Sequence, residues 1–480
     1  MKKNMVRSLL MAVLCSGLLA GCGNDDIPNL GVGMTEETYY ANVFAKDVLE
    51  TYYYWNKEIA SDLERLNPET NTDPIKTVED IRFHEGDIED RWTMLTDDLE
   101  SFNSNIEGVY TTYGYSLSFY YLDDTSNRVM AAVAYVYDDS PAWKAGLKRG
   151  DVICQINGEQ LTDENYQSLY YSSTVTVSLA MVDEDFNILP TGKQISLTAV
   201  EMYENPIICH KIFDVNGRKI AYLAYDSFDT ASIPRLIEIA KDFKAQQVKE
   251  LILDLRYNGG GYALTEEVLA SIFAPQSVVD SRAVLNYEDY NDILDRNGWS
   301  TETRFSTEFK NETLGIDVST KDANLNLDKI YVLMGPNTAS ASEALVGDLL
   351  PYMEIELIGQ QTHGKYCSGV ILSPNDIYKK KAPAAIGRWG MYVMIGIYKN
   401  CMGNTPSMPS GLIPDMEVKD MPFLPAQLGD EDEVMLHAAL ESAGLGSAET
   451  IRARCVPCSL QTLPGYRKKN FGRRILSSIY

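Results

Sequence analysis

The sequence predicts an α/β protein in which a helical N-terminal part and a β-rich module precede an α/β core. Three observations carry that expectation. From about residue 204 onward, apolar strand-like runs alternate with amphipathic helical ones, the pattern of an α/β core. Residues 105–203 instead hold short β-type runs separated by turn residues, and residues 35–104 place apolar and aromatic side chains at helical spacing. A length of 480 residues suits roughly three folded units. With 45% hydrophobic and 23% charged residues the composition is globular, which excludes a mostly disordered chain and a multi-span membrane protein. The 42 basic against 68 acidic residues give a net charge of −26, which argues against nucleic-acid binding.

The first element is a leader. Lys2, Lys3 and Arg7 precede a short apolar run, Leu9–Leu19, too short to span a bilayer as a folded helix. Residues 1–21 are therefore expected to be a signal peptide. Leu19-Ala20-Gly21-Cys22 resembles the bacterial lipobox, which makes Cys22 the expected site of lipidation and residues 22–34 a tether. An ordinary secretory signal followed by an incidental cysteine is the alternative. On the lipobox reading the chain is a cell-envelope lipoprotein, facing the periplasm or exposed on the outer membrane, and held there through Cys22. Six later cysteines (Cys154, Cys209, Cys367, Cys401, Cys455, Cys458) form no disulfide framework. Cys455-Val-Pro-Cys458 lacks the second pair that a zinc site needs.

The helical N-terminal part, 35–104, carries Tyr40, Val43, Phe44, Val48, Tyr52 and Trp55 at helical spacing, and is broken at Asn67-Pro68 and Asp73-Pro74. Its Tyr52–Trp55 cluster suits core packing better than a binding groove. In the β-rich module, 105–203, the strand-like Arg128–Tyr137 leads to Ser140-Pro141-Ala142, a short helix through Leu147, then Arg149-Gly150-Asp151. Val152–Ile156 alternates as a strand and ends at Asn157-Gly158, a hairpin signal. This order resembles a PDZ domain. The resemblance implies a peptide-binding loop at Gly114, Tyr115, Ser116 and Leu117, where backbone N–H groups would take a C-terminal carboxylate and the peptide would add a strand. A small β domain without a peptide site is the alternative.

The core, 204–447, holds strands at Lys219–Tyr225, Leu251–Leu255, Ile330–Met334, Ile355–Ile358 and Met391–Tyr398, with helices at Ser232–Phe243 and from about Ala339 to Leu350. The polar stretch Gln276–Asp328 is too long for a simple connection and is expected to have its own structure and to cap the site. Residues 448–480 form a basic tail. From Ile451 onward it has seven basic residues and no acidic one, a surface suited either to anionic lipid or to the acidic body of the protein.

Several catalytic patterns are missing: HExxH, GxSxG, and a serine followed three residues later by lysine. What is present is a strand running through Gly335-Pro336-Asn337 into Thr338-Ala339-Ser340-Ala341-Ser342-Glu343. At such a helix start the backbone N–H groups favour negative charge, so a serine there sits beside oxyanion donors. Ser340-x-x-Glu343 also reads as a capping box, the better reading on that motif alone. The strand at Ile355 runs into Thr362-His363-Gly364-Lys365. A lysine buried at that point loses solvation of its ammonium and moves towards use as a general base. Asp254-Leu255-Arg256-Tyr257-Asn258-Gly259-Gly260 allows close backbone approach to a substrate. A phosphate loop at Asn258–Gly261 is a weaker reading, because no Walker lysine follows.

The motifs Leu253–Gly260, Ser340–Glu343, Gly364-Lys365 and Gly411–Asp415 occur in this order. Together they resemble the C-terminal processing peptidases, or tail-specific proteases. These are exported serine proteases with a PDZ domain beside a crotonase/ClpP-like core. The helical N-terminal part resembles that of Bacteroidetes lipoprotein members. The resemblance implies Ser340 as nucleophile, Lys365 as general base, and an oxyanion hole from Ala341 with Gly259 or Gly260. It implies exported or periplasmic protein substrates with exposed C-terminal tails, and calls for no cofactor or metal. His363 is the rival base. Where several family members have glutamine four residues after the lysine, this chain has Gly369. Either another residue takes over that role, with Gln360 and Gln361 nearby in sequence, or activity is reduced; the same departure keeps open a non-catalytic lipoprotein that binds peptide tails through its PDZ-like domain.

Overall fold

The computed structural model describes residues 30–122, 126–183, 187–215, 217–299, 302–445, 462–463 and 473–476. The leader, Cys22 and the Cys455/Cys458 pair lie outside them. The first helix, α1 (Glu36–Tyr52), starts at Thr35, whose side chain accepts from the Thr38 N–H, with Glu36 and Glu37 in its first turn. Helix α2 (Pro74–Asp80) is capped by Asp73, with proline in its first turn. Strand β1 (Met94–Thr96) and α3 (Leu99–Ile106) complete this part. Its apolar face, including Phe44, Val48, Tyr53 and Trp55, packs in one cluster with Met391, Val393 and Ile395 of a core strand. The N-terminal helices therefore cover a sheet of the core, and the Tyr52–Trp55 region belongs to that packing.

The β-rich module contains β2 (Tyr115–Tyr121), β3 (Val129–Val136), α4 (Pro141–Lys144), β4 (Val152–Ile156), α5 (Ser168–Tyr171), β5 (Thr174–Val182) and β6 (Ile188–Thr198). Its sheet runs β6-β5-β4-β3-β2, which leaves β2 at one edge. Ser140 starts α4 by accepting from the Trp143 N–H.

In the core, β7 (Ile207–Val215), β8 (Arg218–Tyr225), α6 (Ile233–Ala245), β9 (Glu250–Asp254), β10 (Gly260–Tyr262) and α7 (Ala263–Phe273) come first. Then follow β11 (Val284–Tyr290), β12 (Glu302–Arg304), β13 (Lys329–Met334), α8 (Ala341–Leu349), β14 (Glu354–Gly359), β15 (Cys367–Leu372), β16 (Gly390–Asn400), β17 (Met416–Glu417), α9 (Val434–Ser442) and β18 (Arg473–Ile475). One sheet has the order β7-β8-β9-β13-β14-β17 and is parallel from β8 onward. Its strands are near-continuous apolar runs because both faces are covered. Leu251, Leu253 and Val332 pack with residues of α6, α7 and α8 on one side, and Ile252 and Leu333 with α9 on the other.

The second sheet runs β10-β18-β15-β16-β11-β12, with β1 also on β16. One expectation is corrected here, and one pair of alternatives is decided. The stretch Gln276–Asp328 supplies β11, which lies between β16 and β12 in this sheet, so it is not simply a cap over the site. Of the two alternatives for the basic tail, its described part takes the second, against acidic residues of the body: Arg474 pairs with Glu266 and Glu288. Arg473 and Arg474 are 6% and 1% exposed, inside the strand β18.

Candidate active site

The strands β9, β13 and β14 are parallel neighbours, so the loops leaving their C-terminal ends share one edge of the sheet. These three loops carry Leu255–Gly259, Gly335–Ser340 and Gln360–Lys365. Ligands of open parallel sheets gather at that edge. Hydrogen bonds lock the loops together. Thr338 Oγ1 donates to the Leu255 carbonyl at 2.7 Å, the Ala339 N–H to the Asn258 carbonyl at 3.0 Å, and the His363 N–H to the Thr338 carbonyl at 2.9 Å.

Ser340 stands immediately before α8 at φ 63° and ψ −116°, a left-handed conformation that a non-glycine residue holds only at a cost of about 1–3 kcal/mol. It is fully buried, and its Oγ has no hydrogen-bond partner among the described residues. Glu343 receives the Ser340 N–H at 2.8 Å, one half of the capping box. The other half of the box is approached, with the Ser340 side chain over the Glu343 N–H, but no hydrogen bond to Oγ closes among the described residues, so the hydroxyl stays available for chemistry. The same Glu343 also accepts from the Gly364 N–H at 2.8 Å, the Lys365 N–H at 2.9 Å and the Thr362 hydroxyl. Ser340 and Lys365 thus donate to one oxygen, Oε2, which holds the two segments side by side. Burial pushes the Glu343 carboxyl up to about 7 against the pull of these donors.

Lys365 is completely buried. Its Nζ donates to Tyr392 Oη at 3.1 Å and lies 5.2 Å from the centre of the Trp92 ring. Burial lowers its ammonium to about 8, with Arg473 and Arg474 acting in the same direction. Gly364 precedes it at φ 84°, where a Cβ would fall 2.8 Å from both the Gly411 nitrogen and the Pro409 carbonyl oxygen. Only glycine fits that crossing. His363 is half-buried, and its ring stands edge-on to Trp92.

The position of the missing family glutamine is filled from another strand. A Cβ on Gly369 would lie 2.7 Å from carbons of the Tyr392 ring and 2.5 Å from Met394. Tyr392 occupies that space, and its hydroxyl is the group that meets Lys365. Gln361 instead donates to the Ser410 carbonyl at 2.7 Å.

For the oxyanion, Ala341 is the first residue of α8, where backbone N–H groups have no intrahelical partner. Of the two glycines, Gly260 gives its N–H to Asn258 Oδ1 at 2.9 Å, which leaves Gly259 as the candidate donor. Gly260 has φ 100°, and a Cβ there would lie 2.8 Å from Ser340 Cβ, so its role is close approach.

The expected peptide loop differs from the sequence reading. Tyr115 and Ser116 already pair with Val136 and Tyr135 of β3. The Gly114 N–H donates to Thr112 Oγ1 at 2.9 Å, and the Leu117 N–H to Tyr170 Oη at 3.0 Å. Gly114–Leu117 is therefore the start of a strand with Tyr170 across it, not an open carboxylate cradle.

An ion cluster joins this module to the core. Arg149 Nη2 lies 2.6 Å from Asp420 and 3.0 Å from Glu433. Arg256 of the first loop meets Asp254, Asp420 and Glu433 at 2.8, 3.0 and 2.7 Å. Tyr392, Trp92, Arg149 and the clamping role of Glu343 were not found by sequence reasoning. The three-residue spacing of Ser340 and Glu343 is the one local signal, and it reads as a cap.

Residues 219–418 match Peptidase family S41, a span containing all three loops, and residues 133–173 match the PDZ domain. Among curated proteins, the carboxy-terminal processing protease CtpB of Bacillus subtilis (strain 168) is 27% identical over 235 residues, 48% of this chain and 42% of that protein. A carboxyl-terminal-processing protease of Picosynechococcus is 25% identical over 310 residues, covering 63% of this chain and 64% of that protein. The chain thus spans about half the length of the curated relatives it matches. A solved structure from Bacteroides fragilis, assigned to the S41 proteases, superposes with a TM-score of 0.64 at 23% identity, over 84% of this chain and 98% of that one. That likeness is one of fold. Residues 219–418, which hold all three loops, thus match peptidase family S41, with a match to the PDZ domain ahead of them, and the curated relatives that the chain resembles are carboxy-terminal processing proteases.

Proposed function

We propose that this chain is an exported serine endopeptidase that selects proteins by their exposed C-terminal tails and cuts them through a Ser340–Lys365 dyad. One observation carries the reading: an unpartnered, strained Ser340 and a buried Lys365 hang from the same Glu343 oxygen. Neutral Lys365 takes the Ser340 proton as Oγ attacks a peptide carbonyl. The N–H groups of Ala341 and Gly259 receive the oxyanion, each worth ~10²–10³ in rate. The lysine returns the proton to the leaving amine, and water then releases the acyl-enzyme.

Casein digestion by the unsubstituted chain, Ser340→Ala and Lys365→Arg tests this. Arginine keeps its proton, so both variants should lose turnover. Substantial activity in Lys365→Arg would refute the dyad and favour His363. Equal absence of cleavage by all three would leave a tail-binding protein. Export and lipidation at Cys22 complete the proposal. They rest on the lipobox-like sequence and are tested by detergent-phase partitioning of Cys22→Ala.

A further inference from the structure

Strand β18 fills a slot one strand wide. It pairs in parallel with β10 in the register Gly260↔Arg473, Gly261↔Arg474 and Tyr262↔Ile475. On its other side Ile475 pairs with Gly369 of β15, and the Leu476 N–H donates to the Gly369 carbonyl at 2.9 Å. Strands β10 and β15 do not pair with each other. The slot runs past the nucleophile: a Cβ built on Gly260 would lie 2.6 Å from the Arg473 carbonyl oxygen and 2.8 Å from Ser340 Cβ. Both atoms crowd the same point at Gly260, which puts the Arg473 carbonyl on the Ser340 side of the slot, and the next residue is Arg474.

The Arg474 side chain enters a buried acidic pocket. Its Nε donates to Glu266 Oε2 at 2.7 Å and Nη2 to Glu266 Oε1 at 3.3 Å, while Nη1 reaches Ser368 Oγ at 2.6 Å and also Glu288 Oε1. The guanidinium lies 5.1 Å from the Tyr398 ring centre. Asp348, fully buried behind it, is held by Asn286 at 2.6 Å. Three buried carboxyl groups face one cation, and burial pushes Glu288 and Asp348 above their ordinary range against its pull. Burying them is tolerable only with a charged partner, and the forked donor set fits guanidinium better than ammonium. A second segment of the same tail lies on the PDZ module. Thr462 bridges Tyr120 at the edge of β2, and the Leu463 N–H donates to the Phe119 carbonyl at 3.1 Å. That edge is where an added peptide strand would bind.

We propose that the slot between β10 and β15 binds a peptide strand with arginine just after the carbonyl presented to Ser340, that Glu266 and Glu288 select this arginine, and that the chain's own Arg473–Leu476 is the resident occupant a substrate must displace. The inference rests on the Ser340 reading above, but its test needs no catalysis. In the full chain carrying Ser340→Ala, the binding of a labelled peptide copying residues 472–477 (Gly-Arg-Arg-Ile-Leu-Ser) is measured by fluorescence anisotropy. A second peptide has leucine in place of its second arginine. Adding Arg474→Ala to the chain should vacate the pocket and tighten binding of the first peptide at least ten-fold, and the leucine peptide should bind at least ten-fold more weakly. Equal affinity for both peptides, or no gain from Arg474→Ala, overturns the proposal. Should that variant fold poorly, the Ser340→Ala chain alone decides: saturating peptide should speed hydrogen exchange at the Arg474–Leu476 amides, and unchanged exchange refutes the displacement.

Discussion

Replacing Lys365 with methionine should abolish proteolysis and at the same time stabilise the fold. Burial lowers the Lys365 ammonium from its ordinary 10.5 to about 8, and at about 1.36 kcal/mol per pH unit this corresponds to a folding penalty of about 3 kcal/mol. The sign follows from proton counts. Below pH 8 both folded and unfolded chains carry the proton, and the folded one bears the full penalty. Between about 8 and 10.5 the unfolded chain still holds the proton while the folded chain has released it, so stability rises with pH. Above that range the penalty is gone. Methionine has a similar volume but forfeits the Tyr392 hydrogen bond, about 1 kcal/mol. The net gain expected at pH 7 is therefore about 2 kcal/mol, shrinking towards pH 10.5. Urea unfolding of both proteins across that range measures it. A loss of stability at pH 7, or a gain that does not shrink with pH, would show that Lys365 is not held against its charge and so is not primed as a base.

Further outcomes test the proposed dyad and the ion cluster beside it. With Lys365 at about 8, turnover should rise about ten-fold per pH unit up to that point and then level off; a pH-rate profile that levels near pH 6.5 would point to His363. Tyr392→Phe removes the hydroxyl 3.1 Å from Lys365 Nζ, so kcat should fall on the order of ten-fold with KM little changed, since one neutral hydrogen bond is worth about 1 kcal/mol. Arg149→Ala leaves Asp420 and Glu433 with fewer cations and should cost about 3–5 kcal/mol in urea unfolding. Burial pushes Asp420 up, but Arg149 and Arg256 outweigh it and hold it near 2, below its ordinary 3.8. As pH falls through that interval the unfolded chain protonates first and stability drops, a slope that Arg149→Ala should flatten.

Much of the site was legible because its parts are local. Ser340 beside a helix start, Lys365 after Gly364, and the glycines at Gly259 and Gly260 each sit in a short strand–loop segment whose residue types state their geometry. The strands β8, β9, β13, β14 and β16 were visible as apolar runs. Gly369 was read as a gap in the dyad's support, and the structure fills it with Tyr392 from the neighbouring strand. Glu343 was visible only as a cap, because its bonds to Gly364 and Lys365 cross between loops. Trp92 lies far back in the chain and Arg474 far ahead, and no spacing rule ties either to Lys365.

The amino-acid sequence alone determined the acidic α/β composition, the order of modules and the identity of the reactive segments, since hydrophobic period, turn residues and helix starts act within a few residues. The tertiary structure decided how these segments meet. Parallel registry of β9, β13 and β14 gathers three loops at one edge, antiparallel pairing of β15 with β16 carries Tyr392 to the lysine, and a buried acidic pocket draws Arg474 out of what reads as a basic surface tail. Pairing register and charge burial join residues from 27 positions apart (Lys365 and Tyr392) to 208 (Arg474 and Glu266), so local pattern does not reach them.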